Sequence, residues 1–117
     1  MKRGVFQPCL ELYPMAEWNK LTEKINGLNR FNPKNDAFVR RFMAGTRIIE
    51  VDGNGRLLIP SDLKARVGIT KDVTLSSAVN IIEIWDTDKY EESIEAGADD
   101  FAALAQEVMS DNGPDLS

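Results

Sequence analysis

The chain has 117 residues, 43% of them hydrophobic and 28% charged, which fits one ordinary globular domain with a modest core. It has no histidine and a single cysteine, Cys9, so the commonest general base, cysteine-rich zinc sites and an internal disulfide are all excluded. No apolar stretch approaches the ~20 residues that a membrane helix needs. We therefore expect a cytoplasmic protein with no metal and no cofactor, and a non-enzymatic role.

Charge is divided unevenly along the chain. The net charge is −5, but residues 1–60 carry ten basic and six acidic side chains, a net charge of +4. Residues 61–117 carry four basic and thirteen acidic side chains, a net charge of −9. The N-terminal half is thus basic enough to face a polyanion, whereas the acidic C-terminal segment is expected to lie away from one.

The first part of the chain predicts one strand followed by two helices. Residues 9–13 predict a short strand that contains a buried Cys9, and the proline at residue 14 fits the first turn of a helix. Asn32 and Pro33 predict the start of a second helix, which Gly45 ends. The apolar stripe of the first helix consists of Met15, Trp18, Leu21, Ile25 and Leu28.

The rest of the chain, from residue 46 onward, predicts both strands and helices. Residues 46–51 and 56–59 are rich in β-branched and aliphatic side chains on either side of a glycine corner, which predicts a β-hairpin. A short helix at residues 61–67 and two strands at 72–76 and 81–85 follow. From Thr87 the pattern is helical, and residues 111–115 are expected to be disordered. A buried stripe is predicted at Phe101, Leu104, Ala105 and Val108.

Two segments resemble each other at an offset of 72 residues. The sequence C-L-E-L-Y at residues 9–13 aligns with I-I-E-I-W at residues 81–85, which places Glu11 on Glu83. Each segment leads into a predicted helix, so we interpret them as one strand-to-helix unit used twice. The same offset puts the counterpart of Asp52 before residue 1, and we expect the hairpin of the first repeat to be missing from this sequence.

The corner between the predicted hairpin strands reads D-G-N-G-R at residues 52–56. Asp, Asn and two glycines are the residues that a tight turn with positive φ requires, so turn chemistry alone explains Asp52, Gly53, Asn54 and Gly55. Arg56 is different, because a guanidinium on an exposed tip can engage phosphate or the edge of guanine in the major groove.

Further basic residues flank this corner. Lys64 and Arg66 are candidates for phosphate contacts, although ordinary solvent-exposed helix charges explain them equally well. For Arg40, Arg41 and Arg47 we expect salt bridges with neighbouring subunits, with a DNA border as the less favoured alternative.

The D-G-N-G-R-L-L-I-P stretch, the C-L-E-L-Y-P-M-A-E-W segment and its weaker copy I-I-E-I-W-D-T-D-K-Y together resemble the MraZ family, which is built from two SpoVT/AbrB-type repeats. The resemblance implies an α+β fold, a SpoVT/AbrB-like swapped-hairpin β-barrel from tandem repeats with flanking helices. It divides the chain into an incomplete first repeat (1–45), a complete second repeat (46–97) and an acidic C-terminal helix with its tail (98–117).

The same resemblance implies a function. Members of the family are cytoplasmic or nucleoid-associated transcriptional regulators of the division and cell-wall gene cluster. They assemble into rings and bind direct repeats of double-stranded DNA through hairpin tips that carry D-x-x-G-R. In this sequence Asp52, Gly55 and Arg56 match that signature, with Gly53 and Asn54 at its variable positions.

Two other functions stay open on the residues alone. One is a protein-interaction or scaffold module, in which the acidic helix engages a basic partner and the hairpin is purely structural. The other is a hydrolase that uses Asp99 and Asp100, which is the weakest alternative because adjacent residues on a helix point apart.

Overall fold

A computed structural model describes residues 1–112 as two compact units, Met1–Thr87 and the segment from Asp88 onward. The first unit holds a four-stranded antiparallel sheet in the order β1-β2-β4-β3 and three helices, so the predicted α+β class is confirmed. The swapped-hairpin barrel stays a prediction. The elements of this unit are β1 (Lys2–Arg3), β2 (Leu10–Leu12), α1 (Met15–Asn26), α2 (Pro33–Met43), α3 (Ser61–Arg66), β3 (Val73–Ala78) and β4 (Ile81–Asp86).

Helices α1 and α2 form as their end signals predict. The Asn32 side chain accepts a hydrogen bond from the Lys34 N–H at 2.9 Å and so caps α2, whose first residue is a proline. The indole of Trp18 on α1 stacks on the Phe42 ring of α2 with 6.0 Å between centroids. The predicted apolar stripe of α1 is confirmed except at its start, because Met15 is 54% exposed.

Strands β2 and β4 are the two segments equated by the 72-residue offset, and they pair with each other. Glu11 lies directly opposite Glu83, with Leu10 opposite Ile84. A duplicated unit related by a local two-fold axis predicts this pairing, because each strand then faces its own counterpart. Like charges opposed across two strands are unfavourable unless each has a partner. Glu83 accepts a hydrogen bond from the Trp85 indole N–H at 3.1 Å.

Strand β1 was not predicted, and it supplies the partner of Glu11. The Lys2 side chain is fully buried, and its Nζ donates to Glu11 Oε1 at 3.1 Å and to the Arg3 carbonyl at 2.6 Å. The same ammonium lies 4.4 Å from the centroid of the Phe42 ring, and the Tyr13 hydroxyl donates to Glu11 at 3.0 Å. The carboxylate between the paired strands is therefore held by two donors.

The predicted hairpin strands at residues 46–51 and 56–59 are wrong for this chain, since neither segment forms a strand. Only the corner is closed, by the Asp52 N–H, which donates to the Arg56 carbonyl at 2.8 Å. We call residues 46–51 the first arm and residues 56–59 the second arm. Arg47 of the first arm instead forms two hydrogen bonds of 2.8 Å with the backbone of Met1. A strand needs a continuous partner edge, and these arms have none within the described residues.

One hydrophobic core holds the arms to the sheet. Leu63 of α3 is 1% exposed and packs in a cluster whose members come from the N-terminus, β2, α3 and β4. This cluster consists of Met1, Leu10, Leu63, Val67 and Ile84. Half-buried Ile49, Leu57 and Ile59 of the two arms pack against it. The arms therefore bury one set of side chains in the core although they do not form strands.

The second unit is helical, with α4 (Thr87–Ala98) running into it, α5 (Phe101–Glu107) and a π-helical turn (Val108–Asn112). The predicted buried stripe is wrong, because Phe101 is 67%, Leu104 56% and Val108 44% exposed. These short helices provide no element that covers that face within the described part of the unit. Asp111 and Asn112 of the expected disordered tail fall in the π-helical turn, and residues 113–115 lie outside the described residues. Among residues 1–112, none of the helices has the length and apolar character to cross a membrane.

The thiol of Cys9 is fully buried beside the two opposed glutamates. Desolvation, followed by the charges of Glu83 and Glu11, raises the pKa of Cys9 from its ordinary 9.0 to about 12. The unfolded chain therefore ionises this thiol at a pH where the folded chain still keeps it neutral. The stability that comes from keeping this thiol neutral and buried is fully present below pH 9.0 and is lost as the pH rises toward 12.

We expect Cys9 to resist thiol reagents at pH 8 in the folded protein and to react rapidly once urea unfolds it.

Between pH 9 and 11 the ionisation of Cys9 should lower the free energy of unfolding by about 1.4 kcal/mol per pH unit. Urea titrations at several pH values measure this slope, and Cys9→Ala serves as the control that lacks it. Equal slopes in the two proteins would contradict the assignment.

Candidate nucleic-acid interface

Residues 52–56 form a closed turn that Asp52 organises. Its Oδ1 accepts hydrogen bonds from the N–H groups of Asn54 and Arg56, both at 2.9 Å, and its carbonyl accepts one from Gly55 at 3.0 Å. Gly55 has φ +77°, a conformation that glycine adopts without strain. The carboxylate of the signature is thus occupied in shaping the turn, whereas the side chains of Arg56 and Asn54 remain available for a ligand.

The tip of this turn is open on all sides. All five residues are exposed, and a Cβ placed on Gly53 or Gly55 would meet nothing within 4 Å. Within the described part of the chain, no carboxylate lies within ion-pair distance of the Arg56 guanidinium. A flat partner can therefore reach both the arginine fork and the backbone beside it.

The arms next to the turn expose large aliphatic side chains. Ile48 is 81%, Val51 59% and Leu58 82% exposed. Each would gain about 1.5–3 kcal/mol by full burial against a neighbouring surface. Beyond Arg47 and the turn, the arms combine backbone groups without a strand partner among the described residues and exposed aliphatic side chains, as unprotected sheet edges do.

Lys64 and Arg66 do not join the turn in one cluster of contacts. Both lie on α3, two positions apart and hence on different faces, with Lys64 half-buried and Arg66 exposed. Arg66 lines a cleft together with three other arginines, a grouping that the sequence did not predict because its members are distant along the chain.

Two of the arginines for which salt bridges with neighbouring subunits are expected have partners within this chain, and the pairing between subunits stays a prediction. Arg47 forms a two-pronged pair with Asp62 of the same chain, at 3.1 and 2.6 Å, which ties the first arm to the start of α3. Its hydrogen bonds lower the pKa of the Asp62 carboxyl. Arg40 pairs with Asp36 one helical turn away at 2.8 Å. Arg41 has no ion-pair partner among the described residues.

Comparison with known proteins identifies the chain's relatives. Residues 42–112 match the family described as "MraZ protein, putative antitoxin-like". A "Transcriptional regulator MraZ" of Christiangramia forsetii is 62% identical over 112 residues, which cover 96% of this chain and 72% of that protein. Relatives of the same name from Flavobacterium psychrophilum (98% of this chain, 73% of that protein) and Clostridium tetani (90% and 72%) are 61% and 42% identical.

These relatives carry the name of a transcriptional regulator, so the class defined by the comparison is that of transcription regulators and not of enzymes. The chain belongs to the MraZ family.

Proposed function

We propose that this chain is a sequence-specific DNA-binding regulator, in the sense of a repressor, that reads direct repeats of double-stranded DNA through residues 52–56. The observation that carries the proposal is Arg56, an arginine without an ion-pair partner in the described part of the chain, on the exposed tip of a turn that Asp52 holds in shape. A guanidinium so placed can form a two-pronged contact to guanine O6 and N7, and Asn54 can add a hydrogen bond to a base or phosphate.

Assembly of several copies is part of this proposal. One arginine fork supplies about 1–3 kcal/mol of discrimination between bases, which is too little for a regulator. A ring that presents identical tips to regularly spaced repeats multiplies weak contacts into avidity. The exposed aliphatic side chains of the arms, Ile48, Val51 and Leu58, support assembly because pairing with another copy would cover them and complete a swapped-hairpin barrel.

The remaining parts of the proposal follow from the family. The second SpoVT/AbrB repeat would span residues 46–97, between the part of the first repeat at residues 1–45 and the acidic segment at residues 98–117. The regulated genes would be those of the bacterial division and cell-wall cluster, and the protein would act in the cytoplasm at the nucleoid. Lys64 and Arg66 of α3 are proposed as phosphate contacts.

The test is binding of a duplex with spaced direct repeats, followed by fluorescence anisotropy beside a scrambled duplex. Arg56→Ala should weaken binding to the repeats by about tenfold per engaged tip and reduce the preference over the scrambled duplex. Arg30→Ala is the matched control, because it removes the same charge from an exposed site and leaves Asp36 paired with Arg40. Affinity should also fall steeply with salt.

The role of Asp52 can be separated from that of Arg56. Asp52→Asn keeps an oxygen that can accept from the Asn54 and Arg56 N–H groups, and it should retain most of the preference for repeats. Asp52→Ala removes that acceptor and should lose the preference along with the turn. If Arg56→Ala bound the repeats as tightly as the unsubstituted protein, the proposal of a reading tip would be abandoned.

A protein-interaction module is the second candidate, and one observation favours it. The unit from Asp88 onward exposes Ile94, Phe101 and Leu104 among acidic residues, a combination suited to a basic amphipathic partner. This alternative predicts that Arg56→Ala changes nothing, so the same DNA-binding experiment distinguishes the two functions.

A further inference from the structure

Four arginines line one cleft of the first unit, with a volume of about 660 Å³. Arg3 comes from β1, Arg40 and Arg41 from the last turn of α2, and Arg66 from the last turn of α3. The other lining residues include none that is charged, and several are apolar. Three separate segments of the chain therefore bring like charges to one concave surface.

The charge in this cleft is largely uncompensated. Of the four arginines, Arg40 pairs with Asp36, and that carboxylate is shared with Arg30 at 3.3 Å. Among the described residues, no carboxylate lies within ion-pair distance of Arg3, Arg41 or Arg66. Grouping guanidiniums without counter-charges is unfavourable in the free protein, and an anion in the cleft would relieve it.

Two glycines, Gly45 and Gly4, allow close packing at the cleft. The Arg3 side chain lies over Gly45, where an added Cβ would stand 3.4 Å from its Nε and 3.0 Å from Leu63 Cδ2. Gly45 has φ +73°, so both space and backbone conformation favour glycine there. The loop after β1 is also tight, because a Cβ on Gly4 would lie 2.7 Å from the Gln7 carbonyl oxygen. Arg3 and Gly4, which both line the cleft, are therefore closely packed against neighbouring residues.

We propose that this cleft binds phosphate groups through Arg3, Arg41 and Arg66, with Arg40 at its rim. Arginine forks match phosphate oxygens with paired, charge-assisted hydrogen bonds, and several forks suit two linked phosphates better than one. The phosphates come either from a small phosphorylated molecule or from a nucleic-acid backbone. In the second case the inference rests on the proposed DNA-binding function.

The experiment follows backbone amide signals of the full chain by NMR while pyrophosphate or, separately, a short duplex of arbitrary sequence is added. Shifts are expected at the amides of Gly4, Gln7, Ala44 and Val67, which line the cleft. The double variant Arg41→Ala/Arg66→Ala should weaken the affinity for each probe, measured from these shifts, by about tenfold or more. The reason is that charge-assisted hydrogen bonds contribute more than the ~1.4 kcal/mol of a tenfold change. The matched control is Lys34→Ala/Lys71→Ala, which removes two charges outside the cleft.

The two sources give different results. A cleft response to pyrophosphate supports the small-molecule source, and a response to the duplex alone supports the backbone source. No cleft response to either probe, or equal weakening in the cleft and control variants, would overturn the proposal. Cleft shifts that depend only on protein concentration would also overturn it, by showing that a second copy covers the arginines.

The outcome is independent of the reading tip. Arg56→Ala should leave the pyrophosphate response intact even where it abolishes the preference for direct repeats. Conversely, Arg41→Ala/Arg66→Ala should keep the ratio of affinities for repeat and scrambled duplexes, since phosphate contacts carry no sequence information. Failure of one proposal can therefore be told from failure of the other.

Discussion

Replacing Lys2 with methionine is expected to lower the free energy of unfolding by roughly 3 kcal/mol, because the loss of one partner of a buried pair leaves a charge uncompensated. Lys2 is fully buried, and Glu11, its partner at 3.1 Å, keeps only 18% of its side chain exposed. Without the ammonium, Glu11 would face Glu83 across the sheet with the Tyr13 hydroxyl as its remaining donor. Methionine keeps most of the buried volume, so the change isolates the charge.

Urea unfolding of the unsubstituted protein and three variants measures the effect. Lys20→Met is the matched control, since Lys20 is 72% exposed and its pair with Glu17 should contribute no more than about 1 kcal/mol. Lys2→Met/Glu11→Gln should recover part of the loss, because it removes the unpaired charge and keeps an oxygen for Tyr13. A double variant less stable than Lys2→Met would show that Glu11 does not need the ammonium.

The sequence predicted the elements whose signals are local. Asn32 and Pro33 define the start of α2 through contacts within one turn, and the spacing of Trp18 and Ile25 defines the buried face of α1. The apolar runs of β2 and β4 also sufficed, because each strand lies in a sheet whose neighbours are present. In all these cases the determining interactions are either near in sequence or supplied by this chain.

The predictions from sequence were wrong where packing against other elements decides the structure. Residues 46–51 have strand composition, but β propensity expresses packing against neighbours, and the exposed Ile48 shows that one side of the arm has none. The stripe at Phe101 and Leu104 has the correct spacing for burial but no covering element within the described part of its unit. Periodicity identifies an apolar face and does not identify what covers it.

The candidate site was predictable only in part, for the same reason. The turn at Asp52 is encoded by consecutive residues, so its geometry and its exposed arginine could be foreseen. The buried Lys2 and the cleft arginines could not, since their surroundings depend on contacts between β1, β2, α2 and α3. From the sequence alone, a lysine at residue 2 is expected to be an exposed charge near the terminus, and only the folded chain shows that it is buried.

Leu63→Ala should also destabilise the first unit strongly, by about 2–5 kcal/mol, because it leaves a cavity where a side chain only 1% exposed now packs. That is a large share of the ~5–15 kcal/mol that stabilises a typical domain. Leu63 belongs to the core cluster against which Ile49 and Leu57 of the two arms pack. We therefore expect the arms to be held less firmly in the variant. Hydrogen exchange at the Asp52 and Arg56 amides should accelerate in the folded variant.

Leu58→Ala is the matched control, because it shortens a leucine that is exposed instead of buried. Leu58 is 82% exposed, so in dilute, monomeric protein its truncation should change the free energy of unfolding by no more than about 0.5 kcal/mol. If copies assemble through the arms, Leu58→Ala should instead lower the mass measured by light scattering and make the unfolding midpoint less dependent on protein concentration. Leu63→Ala should shift the midpoint at every concentration, because its packing lies within one chain. Equal midpoints for the two variants in dilute protein would mean that Leu63 does not occupy the centre of the core, and the arms would then need another anchor.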